Sequence, residues 1–225
     1  RFFSTPKTPH ALLSGLVGSE MCIRDRSTSG NLNQARSGMA GAGTQTAALG
    51  FGGAAPPGNP AYVLTEQYDG TSWTEVNDMN TAKSFMGRSG TQTSALGFAG
   101  TIQPGAVQDK NESWNGTNWT EVNDLNTARN AIGSAGTSAA ALAFGGNTGP
   151  GNVTELWNGT NWTEVNDLNT GRTYVTGTGI ATAALAIAGE VPPNTAKTEQ
   201  WNGTIWTEIA DLASARNDLG SSGTT

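Results

Sequence analysis

Five basic residues stand at one recurring position of the chain: Arg36, Lys83, Arg129, Arg172 and Arg216. A regular series of cations can form a ring that grips an anion, or each can pair internally with a carboxylate. The same stretches supply such carboxylates, among them Glu112, Glu121 and Asp124. Recurrence in every unit favours the internal pairing, because a binding site needs a group once and a scaffold needs it every time. Acidic residues recur as well, at Asp78, Asp124, Asp167 and Asp211. Calcium asks for six to eight clustered oxygens, and one Asp per unit beside an Asn suits turn capping better. His10 and Cys22 are the only residues of their kinds, and both precede residue 27. Past them there is no thiol nucleophile, no imidazole base and no His-Cys zinc set. The expectation is a chain with no catalytic residues, no metal and no cofactor of its own.

The elements that position these residues are set by repetition. "WNGTNWTEVNDLNTAR", Trp114 to Arg129, returns as "WNGTNWTEVNDLNTGR", Trp157 to Arg172. Anchored on Trp73, Trp119, Trp162 and Trp206, the units are 46, 43 and 44 residues apart. Before each anchor stands an aromatic (Tyr68, Trp114, Trp157, Trp201), and after it comes the base. Each unit reads as four short strands. The first follows the base, as in "SFMGRSGT"; the second is the "AALGFGG" type of run. The third ends at the first aromatic, as in "YVLTEQY", and the fourth is "WTEVND". Asp69-Gly70, Asn115-Gly116, Asn158-Gly159 and Asn202-Gly203 favour positive φ and mark tight turns between the last two. The sequons at Asn115, Asn118, Asn158, Asn161 and Asn202 fall out of this turn chemistry.

Side chains alternate faces along a strand. Leu49 and Phe51 share one face, as do Leu96 and Phe98, Leu142 and Phe144, and Leu185 and Ile187. The opposite face is Ala or Gly, as at Ala48, Gly50, Ala141 and Ala143. A face of knobs can therefore enter the flat face of the next unit at native packing density. At an open end, one knob face such as Leu49/Phe51, or one flat face, is expected to stay uncovered.

Composition agrees with an all-β chain. Glycine accounts for 31 of 225 residues and charged residues for 13%, which suits many turns and not disorder. The formal net charge of -6 and the lack of a basic cluster argue against nucleic-acid partners. No apolar run approaches the ~20 residues of a membrane-spanning helix.

Four-stranded units of this length stack into a β-propeller. The pattern resembles the kelch repeat, in which a Gly-Gly pair closes the second strand. Here these are Gly52-Gly53 and Gly145-Gly146, with Tyr68, Trp73, Trp157 and Trp162 at the aromatic positions. Two units carry Ala99-Gly100 and Ala188-Gly189 instead. The resemblance covers about residues 27–225 and is nearest to kelch-like units of marine phage and bacterial environmental sequence. It implies an all-β propeller of four full units, about 37–79, 84–125, 130–168 and 173–212, plus a partial one at 217–225. The expected whole is a larger propeller with further blades. Residues 1–26 break the register, since Arg26 falls where a Trp belongs. "LVGSEMCIRDRS" resembles a translated sequencing-adapter read, so this leader is expected to lie outside the fold.

Copper oxidases of kelch-like fold use His, Tyr and Cys ligands, which the repeat region lacks apart from Tyr62, Tyr68 and Tyr174. "YDGTSWT" is superficially similar to a sialidase Asp-box, but Asp69 abuts Gly70 and the recurring bases form no Arg cluster. The loops between second and third strands vary most: "AAPPGNPA", "TIQPGAVQDK", "NTGPGN" and "EVPPNTAK". Loops on a rigid scaffold are where specificity resides, so Asn59, Gln103, Asp109, Asn147 and Asn194 are the candidate ligand contacts. The leading expectation is a non-catalytic propeller binding a carbohydrate or protein, as a virion or cell-surface component. The alternatives are an intracellular kelch-type protein-interaction adaptor, and part of an enzyme with its catalytic residues elsewhere.

Overall fold

In each unit a hydrophobic alternation of period two is cut by glycines that reverse the chain, and the result is a four-stranded antiparallel sheet. The computed structural model describes residues 29–56, 60–102 and 105–221. The expected leader through residue 26 lies outside the described residues, as do His10, Cys22, Asn59 and Gln103. The first blade is β1 (Ala40–Thr44), β2 (Ala47–Phe51), β3 (Thr65–Tyr68) and β4 (Trp73–Val76). The second opens with β5 (Gly87–Gly90) and β6 (Ala95–Phe98). A short ribbon follows, β7 (Thr101–Ile102) and β8 (Ala106–Val107), before β9 (Asn111–Trp114) and β10 (Trp119–Val122) complete that blade. The third is β11 (Gly133–Gly136), β12 (Ala141–Phe144), β13 (Thr154–Trp157) and β14 (Trp162–Val165). The fourth is β15 (Thr176–Ile180), β16 (Ala183–Glu190), β17 (Asn194–Trp201) and β18 (Trp206–Glu208). Every blade keeps sequential strand order, and inner strands β1, β5, β11 and β15 lie side by side in that succession. This is a propeller arrangement of four blades. No helix among the described residues is long and apolar enough to cross a membrane.

Glycine is required at the first hairpin of each blade. Gly43, Gly90, Gly136 and Gly179 have φ of 105°, 109°, 106° and 110°. A Cβ on Gly136 would lie 2.3 Å from the carbonyl oxygen of Ala140, so only glycine reverses the chain there. The outer hairpins close on the expected Asx turns. Asn115 Oδ1 accepts N–H bonds from Thr117 (2.9 Å) and Asn118 (2.8 Å), and Asp69, Asn158 and Asn202 do the same.

The core lies between blades. Phe51, Phe98 and Phe144 meet Trp119, Trp162 and Trp206 of the following blade, with ring centroids 4.8, 4.8 and 4.9 Å apart. Each of the three hydrophobic clusters joins one blade's Leu and Phe to the next blade's Ala and Trp residues. Leu49 and Phe51 are therefore fully buried, and the expectation that they mark the uncovered end is corrected. The last blade carries the uncovered knobs: Leu185 and Ile187 are only partly buried. At the other end, among the described residues, no Phe of a preceding blade meets Trp73, which stays partly buried. Of the expected partial unit at 217–225, residues 217–221 carry no strand and the rest lies outside the described residues.

Tight packing makes a prediction. A Cβ on Gly133 would stand 2.3 Å from the Phe144 ring, its cross-strand partner. Gly133→Val is expected to destabilise the chain by about 1–3 kcal/mol through overpacking. A thermal melt checks this, and an unchanged melting temperature would show that the junction is looser than described.

Candidate functional site

The recurring bases are joints. Arg36, Lys83, Arg129 and Arg172 reach Glu66, Glu112, Glu155 and Glu199 of their own blades at 2.8, 3.4, 3.1 and 2.9 Å, with both partners' side chains buried. Desolvation lowers the pKa of all four bases, and the partner Glu opposes it. Arg129 also donates to the carbonyls of Gly145 and Ala143. The other oxygen of each Glu accepts from the Asn three residues before the base: Asn33, Asn80, Asn126 and Asn169 each donate a backbone N–H and a side-chain N–H. Those same Asn amides reach the carbonyls of Trp73, Trp119, Trp162 and Trp206. One buried carboxylate thus fastens the segment that enters each blade. Arg216 departs from the expected equivalence. It is exposed, no carboxylate pairs with it among the described residues, and Ala213 stands where the earlier units have Asn.

The recurring acids tie strands together. Asp78, Asp124, Asp167 and Asp211 accept the backbone N–H of Thr65, Asn111, Thr154 and Thr198 at 3.0, 3.1, 2.9 and 3.1 Å. Trp119 and Trp206 donate their indole N–H to Thr65 and Thr154 of the preceding blade. Trp162 faces a unit with Asn111 in that place, and its N–H stays unpaired, as does Asn111 Oδ1. Among the described residues, no group of three or more His, Cys, Asp or Glu could hold a metal ion.

A repeat makes its exceptions visible. The inner strands line a cavity of about 800 Å³ that runs along the axis of the blades. Two residues past each base, the chain has Gly38, Phe85, Ala131, Tyr174 and Asp218, all with φ between 50° and 59°. Three backbone bonds link this series: Phe85 N–H to Gly38 O (2.8 Å), Ala131 N–H to Phe85 O (3.0 Å) and Tyr174 N–H to Ala131 O (2.8 Å). The left-handed conformation is thereby imposed on every unit. Gly38 takes it freely, whereas Phe85 and Tyr174 take it with strain of about 1–3 kcal/mol each. Their rings meet edge to face at 6.3 Å on the cavity rim, and Phe85 remains 37% exposed.

Five residues past the base the series is Gly41, Arg88, Ser134, Gly177 and Ser221. Arg88 is the one large member, and it lies on the cavity wall. Its side chain is reached by water, yet the surrounding protein lowers its pKa by desolvation alone. Among the described residues its guanidinium meets no carboxylate.

Rim and variable loops occupy the same end of the blades. Ser84 and Thr173, next to Phe85 and Tyr174, bridge to Thr101 and Glu190, where the variable segments begin. The opposite end carries the repeated turns, with Gly70, Gly116, Gly159 and Gly203 packed beside Thr46, Thr93, Ala139 and Thr182. Of the predicted contacts, Asp109 is partly buried, while Asn147 and Asn194 are exposed. Asn194 sits at the start of β17, because the fourth blade extends its loop into strand. The second blade's ribbon does likewise. Phe85, Tyr174 and Arg88 were missed as site residues. The signal was the position at which the repeat changes residue type. Neither a known protein family nor any curated protein matches this chain.

Proposed function

We propose that this chain is a non-catalytic, kelch-like binding scaffold that takes a carbohydrate at the loop-bearing mouth of its axial cavity. One observation carries the reading: departures from the repeat gather on one end, around two strained aromatic rings, while the other end repeats its turns. The left-handed backbone recurs at this position in every unit, and what sets Phe85 and Tyr174 apart is that they place an aromatic ring there. An exposed Phe85 ring and a half-buried Tyr174 ring beside backbone polar groups suit a sugar, which has apolar ring faces and polar edges. A protein ligand is less well served. Of the large exposed hydrophobics among the described residues, Phe85 alone lines the cavity, while Val191, Ile205 and Ile209 belong to the fourth blade, with Ile205 in its repeated turn; a stable protein interface needs a contiguous core.

Phe85→Gly tests this with two readouts of opposite sense. Screened against immobilised oligosaccharides, the chain is expected to bind, and the variant to bind about tenfold or more weakly through loss of the ring. Its melting temperature is expected to hold or rise, because glycine relieves the left-handed strain. Undiminished sugar binding by a folded variant, or no sugar bound by the parent chain, would overturn the proposal.

A further inference from the structure

The geometry points to a carboxylate-bearing sugar as the ligand of the cavity, with Arg88 as the residue that selects the charge. This rests on the carbohydrate reading above and names the substrate class within it. Four bases of the repeat series are already consumed by buried Glu partners. Arg88 belongs to a different position, has no such partner among the described residues, and stands on the wall of the same cavity whose rim holds Phe85 and Tyr174. The corresponding residues in the other units are Gly or Ser, so the blade needs no side chain of this size for packing. A guanidinium offers parallel N–H donors that match a carboxylate fork, and partial exclusion of water strengthens that pairing.

The rest of the lining narrows the class. Thr178 brings a hydroxyl to the cavity, whereas the Ser134 and Thr176 hydroxyls donate to the carbonyls of Arg88 and Leu219, and the wall is otherwise mostly backbone and small residues. Among the described residues, the other charged residue on the lining is Asp218. A polyacidic peptide would set several carboxylates against one cation and that Asp. A uronic acid brings one carboxylate per ring for Arg88, a face for the aromatic pair and hydroxyls for Thr178 and the polar backbone of the wall. The cavity volume of about 800 Å³ is within the range that encloses a ligand of this size.

Titration calorimetry with trigalacturonic acid and with its methyl ester provides the test, since the ester keeps the rings and removes the charge. The acid is expected to bind about tenfold or more tightly than the ester. Arg88→Ser installs the residue that the third blade carries as Ser134, so the fold is expected to survive, as a thermal melt checks. That variant should bind acid and ester alike, and Arg88→Lys should keep part of the preference. Equal binding of acid and ester by the parent chain, unmoved by Arg88→Ser, overturns the charge assignment and leaves the carbohydrate scaffold standing. Binding of neither overturns both.

Discussion

Arg129→Met is expected to destabilise the chain by about 3–5 kcal/mol, the usual consequence of leaving a buried charge without its partner. Glu155 is fully buried, and among the described residues Arg129 and Asn126 satisfy it. Removing the guanidinium strips one oxygen of its cationic donor and also frees the carbonyls of Gly145 and Ala143. The fastening that seats the third blade on the second is then incomplete. Urea unfolding measures the loss. Two companions identify its cause. Arg129→Met combined with Glu155→Leu should recover much of it, because an apolar pair replaces a buried ion pair at little cost. Arg216→Met, at the exposed and unpaired member of the series, should change stability by no more than about 0.5 kcal/mol. Equal losses at Arg129 and Arg216 would mean that these bases stabilise by something other than the buried pair.

Self-association through the blade faces is the second large effect expected. The fourth blade shows Leu185 and Ile187 to water, where the three preceding blades bury Leu and Phe completely. The first blade shows a flat face with Ala48 and Trp73 partly uncovered. These two faces are the halves of a junction that the chain already makes three times. Residues 216–221 occupy the inner edge of the fourth blade's face, through bonds from Ser221 to Gly177 O and from Gly189 to Arg216 O. The apolar area on offer is therefore the remaining surface of Leu185 and Ile187, and since both are already partly buried each contributes less than the roughly 1.5–3 kcal/mol of full burial. Offset by the loss of translational freedom, this predicts weak, concentration-dependent association. Sedimentation velocity should show the weight-average mass rising with concentration. Leu185→Glu with Ile187→Glu should keep the chain monomeric. A monomer at every concentration, unaffected by the substitutions, would mean that these faces are closed in solution.

The fold could be read because its determinants are local and repeated. Period-two alternation, Asn-Gly turns and the Leu-Phe against Ala-Gly faces each state one element of a blade, and four copies leave little room for another register. The direction of stacking was harder. Leu49 and Leu185 look alike in sequence, and only the packing of Phe51 on Trp119 shows which face meets the next blade. The partner of each base was equally open: Glu112, Glu121 and Asp124 were all plausible, and burial distinguishes them, since Glu112 is inside and Glu121 is exposed beside Lys110. The cavity residues escaped notice for a different reason. Arg88 and Tyr174 sit inside strand-like text and carry no motif. Their meaning arises only when inner strands from several blades converge on one axis.

Hydrogen exchange measured with and without trigalacturonic acid bears most directly on the central claim, that binding belongs to the end of the blades where the repeat is broken. Protection is predicted across residues 85–88, 131–134 and 174–177, the cavity-lining segments nearest the loop-bearing end. The repeated turns at residues 115–118, 158–161 and 202–205 should exchange as before. Protection confined to those turns, or absent from the cavity segments while the sugar is bound, would contradict the account.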